Sequence, residues 1–283
     1  MEPYTVLMSV YEKETIDNLK QSILSVLSQT QKPSEFVIVW DGPLPKSLVE
    51  VLEEFENVYP SVFRFVKLEQ RSGLGVALKN GLQACSNELV ARMDSDDISV
   101  PERCTLQLEC FDKNPKLTLV GGQITEFEEN PNNPYAIRRV PLQLDAISCY
   151  ARRRNPFNHM TVMFKKSAVL DVGNYQTCLQ FEDYWLWMRM LINGLEVCNL
   201  PQILVKVRAG RSMQLRRGGL NYLKKQLDFQ RMLRVNKMIS MQDFVFNSLV
   251  RTGAALMPAG IRQQLYKRIL RERNKKSRGE RFA

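Results

Sequence analysis

Along the first half of the chain the hydrophobic pattern alternates between two periods. Residues 4–11, YTVLMSVY, form an apolar-rich run that reads as a buried strand. The following TIDNLKQSILSVLSQT sets Ile16, Leu19, Ile23, Val26 and Leu27 at helical spacing behind Thr15, a good capping residue. EFVIVWDG at 35–42 repeats the strand signal and ends on Asp41, after which residues 46–55 return to the helical period. Residues 61–68 give a third strand, 74–85 a third helix and 88–93 a fourth strand. Strand alternating with helix in this way predicts an α/β fold with a mostly parallel sheet and helices on both faces.

Past residue 100 the order loosens. Pro101 suits a first helical turn, and the helix should run to Lys113 before Asn114 and Pro115 stop it. LTLVGGQITEF, 117–127, reads as a long strand bent or bulged at its glycines, and 128–134 as a loop. An amphipathic stretch at 142–154, a short strand at 159–164, a loop, a helix over 183–192 and a strand over 197–207 follow. From about Arg211 the chain reads as helices with basic faces, so a boundary is expected near 207, with 208–283 as a separate region.

Charge sharpens that boundary. The net charge is +10, yet residues 1–205 hold 20 Lys+Arg against 26 Asp+Glu, while residues 206–283 hold 20 against 4. Basicity is therefore a property of the C-terminal region, where nucleic acid, an anionic membrane surface or a solvated helical face would each account for it. Apolar stretches around Phe244, Phe246, Leu249 and Val250 are broken by Arg251 and Pro258, short of the ~20 residues that span a bilayer. A helix lying in the membrane interface fits better, with Arg262, Lys267, Arg268 and Arg271 meeting anionic lipid. The six cysteines include no CxxC pair, which argues against a zinc site or a disulfide framework and fits reduced thiols in the cytoplasm. MEPYTVLMSVY does not read as a secretory signal.

The candidate chemistry sits in ELVARMDSDDIS, where a strand runs into three carboxylates within four residues, Asp94, Asp96 and Asp97. Carboxylates that close repel one another unless water, helix dipoles or a cation relieves them. Ligands of open parallel sheets bind beyond the carboxyl ends of the strands, where Asp41 and Asp94 to Asp97 both fall. A hard cation such as Mg²⁺ takes carboxylate oxygens and shares substrate phosphates. The plain alternative is a turn with a helix cap.

Seven segments together resemble the family 2 glycosyltransferases of the GT-A fold, the bacterial type that builds capsule, exopolysaccharide or O-antigen. They are SVYEKE (9–14), SILSVLSQT (22–30), VIVWDG (37–42), RSGLGVALKNGL (71–82), ARMDSDD (91–97), NHMTVMFKK (158–166) and FEDYWLWMRM (181–190). The resemblance implies a domain over 1–207, with a nucleotide-sugar half at 1–98 and an acceptor half at 99–207. It implies a DxD motif at Asp94, Ser95 and Asp96, with Asp96 and Asp94 toward Mn²⁺ or Mg²⁺ and Asp97 in support. It places the nucleotide base near Val10, Tyr11, Glu12 and Asp41, and the donor beside Arg71, Gly73, Arg92 and His159. Asp183 becomes the general base and Glu182 its neighbour for acceptor binding or orientation.

Plainer readings stand beside these roles. Glu182 and Asp183 at a helix start are also ordinary capping carboxylates. His159, the sole histidine, is also a structural residue at a strand start, and Tyr184, Trp185 and Trp187 sit at core-like helical spacing. RSGLG is not a dinucleotide fingerprint, since it lacks the third glycine and does not follow the first strand. The expected activity is inverting, metal-dependent transfer of a sugar from a nucleotide sugar, with UDP as the expected nucleotide. The acceptor is expected to be a hydroxyl of a lipid-linked glycan, at the inner face of the cytoplasmic membrane and without nucleic acid. A nucleotidyltransferase acting on a sugar phosphate and a basic nucleic-acid-binding protein are the alternatives; the first lacks the phosphate loop it would need after the first strand.

Overall fold

A computed structural model of the chain describes residues 2–178, 180–209, 219–257 and 272–273. Four strands, β1 (Tyr4–Val10), β2 (Glu35–Trp40), β3 (Phe63–Lys67) and β4 (Leu89–Asp94), pair in parallel in the order β4-β1-β2-β3. Their connections are α1 (Ile16–Leu27), α2 (Lys46–Val58) and α3 (Leu74–Ala84). Both faces of this sheet are covered, which is why its strands are apolar at nearly every position rather than at alternate ones. Val6, Met8 and Val10 of β1 join one core with Phe36, Ile38 and Trp40, while Leu7 joins a second with Val37 and Val39. Gly81 lets α3 approach that second core: a Cβ there would lie 2.4 Å from Val39 Cγ2 and 2.5 Å from Leu7 Cδ1.

After β4 the sheet becomes mixed. A two-residue strand β5 (Ile98–Ser99) precedes α4 (Arg103–Lys113), β6 (Leu117–Phe127), β7 (Ala136–Arg138) and α5 (Leu144–Ala151). β8 (Met163–Lys165), α6 (Lys166–Asp171), α7 (Glu182–Ile192) and β9 (Glu196–Arg208) complete the half. β8 runs antiparallel between β4 and β6, and β9 lies parallel to β6 with a register shift between Gly121 and Gln123. The glycine bend expected in β6 is therefore present, and a Cβ at Gly122 would meet Leu204 Cδ1 at 2.4 Å. β5 pairs antiparallel with Val205 and Lys206, tying the residues after the acidic cluster to the far end of β9.

Three expectations need correction. The strand expected at 159–164 is a 3-10 turn over His159–Thr161, with β8 beginning only at Met163. The Thr161 N–H and hydroxyl both bond the Asn158 carbonyl, a side-chain-to-backbone competition that closes a turn instead of extending the strand. The loop that was expected next contains α6, and β5 and β7 are too short to leave a periodic signal. The 46–55 helix runs on to Val58.

The C-terminal region contributes α8 (Leu220–Val235) and α9 (Met241–Leu256), the latter opened by a capping box between Ser240 and Asp243. Both pack on the acceptor half. Phe229, Leu233 and Ile239 share a core with Tyr184, Trp185 and Met188 of α7, and Phe229 stacks on Phe181 with ring centres 4.8 Å apart. Arg262, Lys267, Arg268 and Arg271 lie outside the described residues. The pair Glu272–Arg273 forms β10 beside β7.

Candidate active site

The register of the parallel strands sets the site. Ser9 of β1 is level with Asp94 of β4, and Val10 with Trp40 of β2, so Asp94 and Asp41 flank the end of β1. Asp41 donates its N–H to the Val10 carbonyl at 2.8 Å, and its carboxylate accepts from the N–H groups of Ser72 (2.7 Å) and Gly73 (3.0 Å). Gly73 has φ +88° and Gly42 has φ +87°, a left-handed conformation that favours glycine on both sides of this contact. Asp41 thus holds the loop that carries Arg71, whose guanidinium lies 5.2 Å from the Tyr11 ring centre and 3.4 Å from Glu12 Oε1. Val10, Tyr11, Glu12, Asp41, Arg71 and Gly73 form one cluster at the sheet's rim.

The acidic cluster lies on the other side of β1. Carboxylate oxygens of Asp94, Asp96 and Asp97 all fall within 4.8 Å of one another. Asp97 is buried and accepts the Arg208 N–H at 2.9 Å, while Ser22 Oγ donates to the Asp94 carbonyl at 2.7 Å, so α1 and β9 grip the turn from both ends. The Asp96 pKa is pushed up to about 7, first by burial and then by Asp94 and Glu14. Asp97 is raised by burial and by its neighbours Asp94 and Asp96. An all-carboxylate donor set whose oxygens lie this close suits a hard divalent ion, which would relieve their mutual repulsion. Asp94 and Asp96 would hold it, with Asp97 buried behind them.

Arg92 joins this cluster to the acceptor half. Its side chain is 2% exposed, its Nη2 bonds Asp94 Oδ1, and among the described residues no acceptor meets its Nε or Nη1. Its charge acts on Asp96 and Asp97 on one side and on His159 and Asp183 on the other. The Tyr175 hydroxyl likewise feels both Asp183 and Asp94.

Asp183 opens α7 and is held at both oxygens, by Asn155 Nδ2 at 2.6 Å and by the Tyr184 N–H at 2.7 Å. Burial raises its pKa, and those two bonds together with Arg92 and Arg138 restrain the rise. Glu182 lies against α3: a Cβ at Gly75 would come within 2.6 Å of Glu182 Cγ, so glycine is what lets the two helices meet. A groove of about 310 Å³ opens there, lined by Gly75, Lys79, Asn80, Tyr175, Gln176 and Thr177. His159 is packed between Tyr175, whose hydroxyl lies 3.0 Å from its Nε2, and the edge of Trp187. Burial and Arg92 push its pKa well down. Trp187 and Tyr184 are core residues, as their spacing suggested, and Trp185 Nε1 bonds Gln176 Oε1 at 2.9 Å.

Four contributors carried no sequence signal of their own. Glu14 accepts the Ser95 hydroxyl, and Arg208 reaches back from the end of β9 to the Asp96 carbonyl at 3.3 Å. Asn155 and Tyr175 lie in irregular segments far along the chain from their partners. Only Glu14, inside SVYEKE, stood in a segment already singled out.

A parallel sheet flanked by helices, continued by a mixed second half and carrying an acidic cluster at its carboxyl edge, is the architecture of a GT-A glycosyltransferase. The chain belongs to the family described as glycosyl transferase family 2, whose model matches residues 5–177. It is 40% identical over 265 residues to the amylovoran biosynthesis glycosyltransferase AmsE of Erwinia amylovora, covering 94% of this chain and 98% of that one. To the UDP-Gal:alpha-D-GlcNAc-diphosphoundecaprenol beta-1,3-galactosyltransferase of Escherichia coli it is 35% identical over 268 residues, 95% and 96% of the two chains. Among solved structures, the Pyrobaculum calidifontis mannosyltransferase PcManGT, in complex with GDP-Man and Mn2+, shares the fold at TM-score 0.63 and 14% identity. The match covers 93% of this chain and 72% of that one. The protein is a glycosyltransferase, and the nucleotidyltransferase reading is set aside.

Proposed function

We propose that the protein transfers a sugar, with inversion, from a UDP-sugar to a hydroxyl of a lipid-linked saccharide during assembly of a bacterial surface glycan. The observation that carries this reading is the acidic cluster at the carboxyl edge of the sheet, its carboxylate oxygens within 4.8 Å of one another and Asp94 paired with the buried Arg92. Inversion needs a base and a leaving-group site on opposite sides of the anomeric carbon. Asp183 takes the proton of the acceptor hydroxyl as its oxygen bonds the anomeric carbon, and the bond from that carbon to the nucleoside diphosphate breaks. A divalent ion, Mn²⁺ or Mg²⁺, supplies charge stabilisation for the departing diphosphate when bound at Asp94 and Asp96. Asp41, Tyr11 and Arg71 receive the nucleoside, with Val10, Glu12 and Gly73 shaping that rim. Arg92 and Ser95 position the DxD turn, and His159 supports the donor side from beneath.

The lipid-linked acceptor rests on the E. coli relative, whose name specifies a diphosphoundecaprenol substrate. No described helix is long and apolar enough to cross a membrane. Instead α9 exposes Met241, Val245, Phe246, Leu249 and Val250 in a region whose 20 basic residues face only 4 acidic ones. That stripe on a basic background suits the interface of an anionic bilayer, on the cytoplasmic side where nucleotide sugars are made. Phe244 does not belong to it, because its ring packs against the α7–α8 core. The test is a panel of nucleotide sugars read by nucleotide release and by thermal stabilisation, with and without Mn²⁺. UDP-sugars should stabilise the protein and turn over; a panel in which none does so at any metal concentration defeats the reading.

A further inference from the structure

Between Asp183 and the exposed stripe of α9 lies a turn with three consecutive arginines. Arg152, Arg153 and Arg154 follow α5, and all three are exposed. Their backbone is held from several directions. The N–H groups of Arg153 and Arg154 both donate to the Tyr150 carbonyl at 3.0 Å. Asn247 Nδ2 of α9 donates to the Arg152 carbonyl at 2.8 Å, and Arg251 Nη2 donates to the Arg153 carbonyl at 2.9 Å. The Tyr184 hydroxyl of α7 donates to the Ala151 carbonyl just before them.

The placement is as informative as the rigidity. The next residue, Asn155, holds the Asp183 carboxylate at 2.6 Å. On the other side the Arg153 guanidinium lies 4.8 Å from the ring centre of Phe246, a member of the exposed apolar stripe. Three like charges on adjacent residues repel, and the fold nonetheless fixes the turn that presents them. A small ligand dense in anionic oxygens relieves that repulsion, and the guanidinium fork matches phosphate oxygens two at a time.

We propose that Arg152, Arg153 and Arg154 form the subsite for the diphosphate of a lipid-diphosphate-linked saccharide acceptor. The acceptor sugar then lies over Asp183, and the lipid leaves along Phe246, Leu249 and Val250. This rests on the acceptor class given above and extends it to particular residues. One turn thereby connects the base to the lipid-facing helix, so the acceptor is recognised by its diphosphate as well as by its sugar.

The probe is dodecyl diphosphate, used below its micellar concentration and without vesicles, so that membrane headgroups contribute nothing. Wild type binds it, and R152Q/R153Q/R154Q binds it about tenfold or more weakly, because charge-assisted phosphate contacts are lost. Binding of neutral dodecyl maltoside and thermal stabilisation by UDP stay unchanged in the same variant. Sedimentation with phosphatidylglycerol vesicles falls by less than probe binding does, since the arginines add only their share of the general surface attraction there. Should the triple variant fail to fold, R153Q and R154Q singly are each expected to weaken the probe by about threefold, contributions that sum for separate contacts. Equal affinity in wild type and variant, or no binding by wild type, overturns the proposal. So does a loss of probe binding matched by an equal loss of vesicle binding, which assigns the arginines to headgroups. The nucleotide-sugar panel judges the transferase reading independently of all these outcomes.

Discussion

Asn155 Nδ2 donates to Asp183 Oδ2 at 2.6 Å, across 28 residues of chain and from an irregular segment to the first turn of α7. With the Tyr184 N–H on the other oxygen, the carboxylate is fixed in one orientation while keeping lone pairs for a substrate proton. Asp183→Asn should therefore reduce kcat by about 10²–10⁴-fold, the usual contribution of a general base, with donor affinity close to wild type. Asn155→Ala should leave the donor bound and lower kcat by about tenfold, since orientation is lost while the base remains. Steady-state kinetics with donor and acceptor varied separately checks both. Donor affinity falling with kcat unchanged would mean that the base lies elsewhere.

The same contacts fix a sign for pH dependence. Burial favours the neutral form of Asp183 and raises its pKa, while Asn155, the Tyr184 N–H, Arg92 and Arg138 favour the ionised form. A base works ionised, so activity should fall as pH drops through this raised pKa, placing the acidic limb above the ~3.9 of an unperturbed aspartate. Removing the Asn155 donor should move the limb to higher pH, because one stabiliser of the charged form is gone. Profiles of kcat/KM for wild type and Asn155→Ala read the displacement, and a shift to lower pH would contradict the assignment.

The cation reading is testable without catalysis. Asp96→Ala removes one carboxylate from a cluster whose members crowd within 4.8 Å, and it should abolish Mn²⁺ binding seen by electron paramagnetic resonance along with metal-dependent turnover. Asp97→Ala should instead weaken the turn: it leaves the Arg208 N–H without its buried acceptor, so its effect should appear first in thermal stability. Full activity of wild type in excess chelator would remove the metal from the mechanism.

The nucleotide half was legible in the sequence because its physics is local. Buried parallel strands must be apolar almost throughout and their helices amphipathic, so β1 to β4 and α1 to α3 announce themselves by period. Asp41 and Asp94 were legible for a related reason: a carboxylate ending such a strand can lie only at the sheet's carboxyl edge. The acceptor half was harder to read. β5, β7 and the His159–Thr161 turn are two or three residues long, below one full period, and their form is set by partners such as Val205, Ile124 and Gly122 far along the chain. Asn155, Arg208 and Tyr175 act through tertiary contacts that no spacing encodes. His159 shows the limit from the other side: its place at an expected strand start gave no sign of its burial against Tyr175 and Trp187.

The approach of α3 to the sheet predicts a stability effect away from the site. A side chain at Gly81 meets Val39 and Leu7 at distances no Cβ tolerates, and both belong to the second core. Gly81→Val should destabilise the protein by about 1–3 kcal/mol through overpacking, read by denaturant unfolding with an unchanged slope. Gly194→Ala is the contrast. Nothing lies within 4 Å of its Cβ position, but its φ of +71° still strains an L side chain, so a smaller loss is expected there for a backbone reason.

The stripe on α9 separates membrane contact from folding. Phe246 and Leu249 are exposed on the same helix that turns Phe244 and Asn247 inward, so polar replacements at the two kinds of position should have different consequences. Phe246→Ser with Leu249→Ser should reduce sedimentation with anionic vesicles by about tenfold or more, since each fully buried apolar side chain is worth ~1.5–3 kcal/mol, and should leave thermal stability near wild type. Phe244→Ser should do the reverse, lowering stability by opening the core shared by α7, α8 and α9 while leaving the exposed stripe intact. Vesicle binding should also weaken as salt rises, because basic residues contribute through the anionic surface potential. Vesicle binding of the Phe246→Ser, Leu249→Ser variant equal to wild type would show that α9 does not face the bilayer.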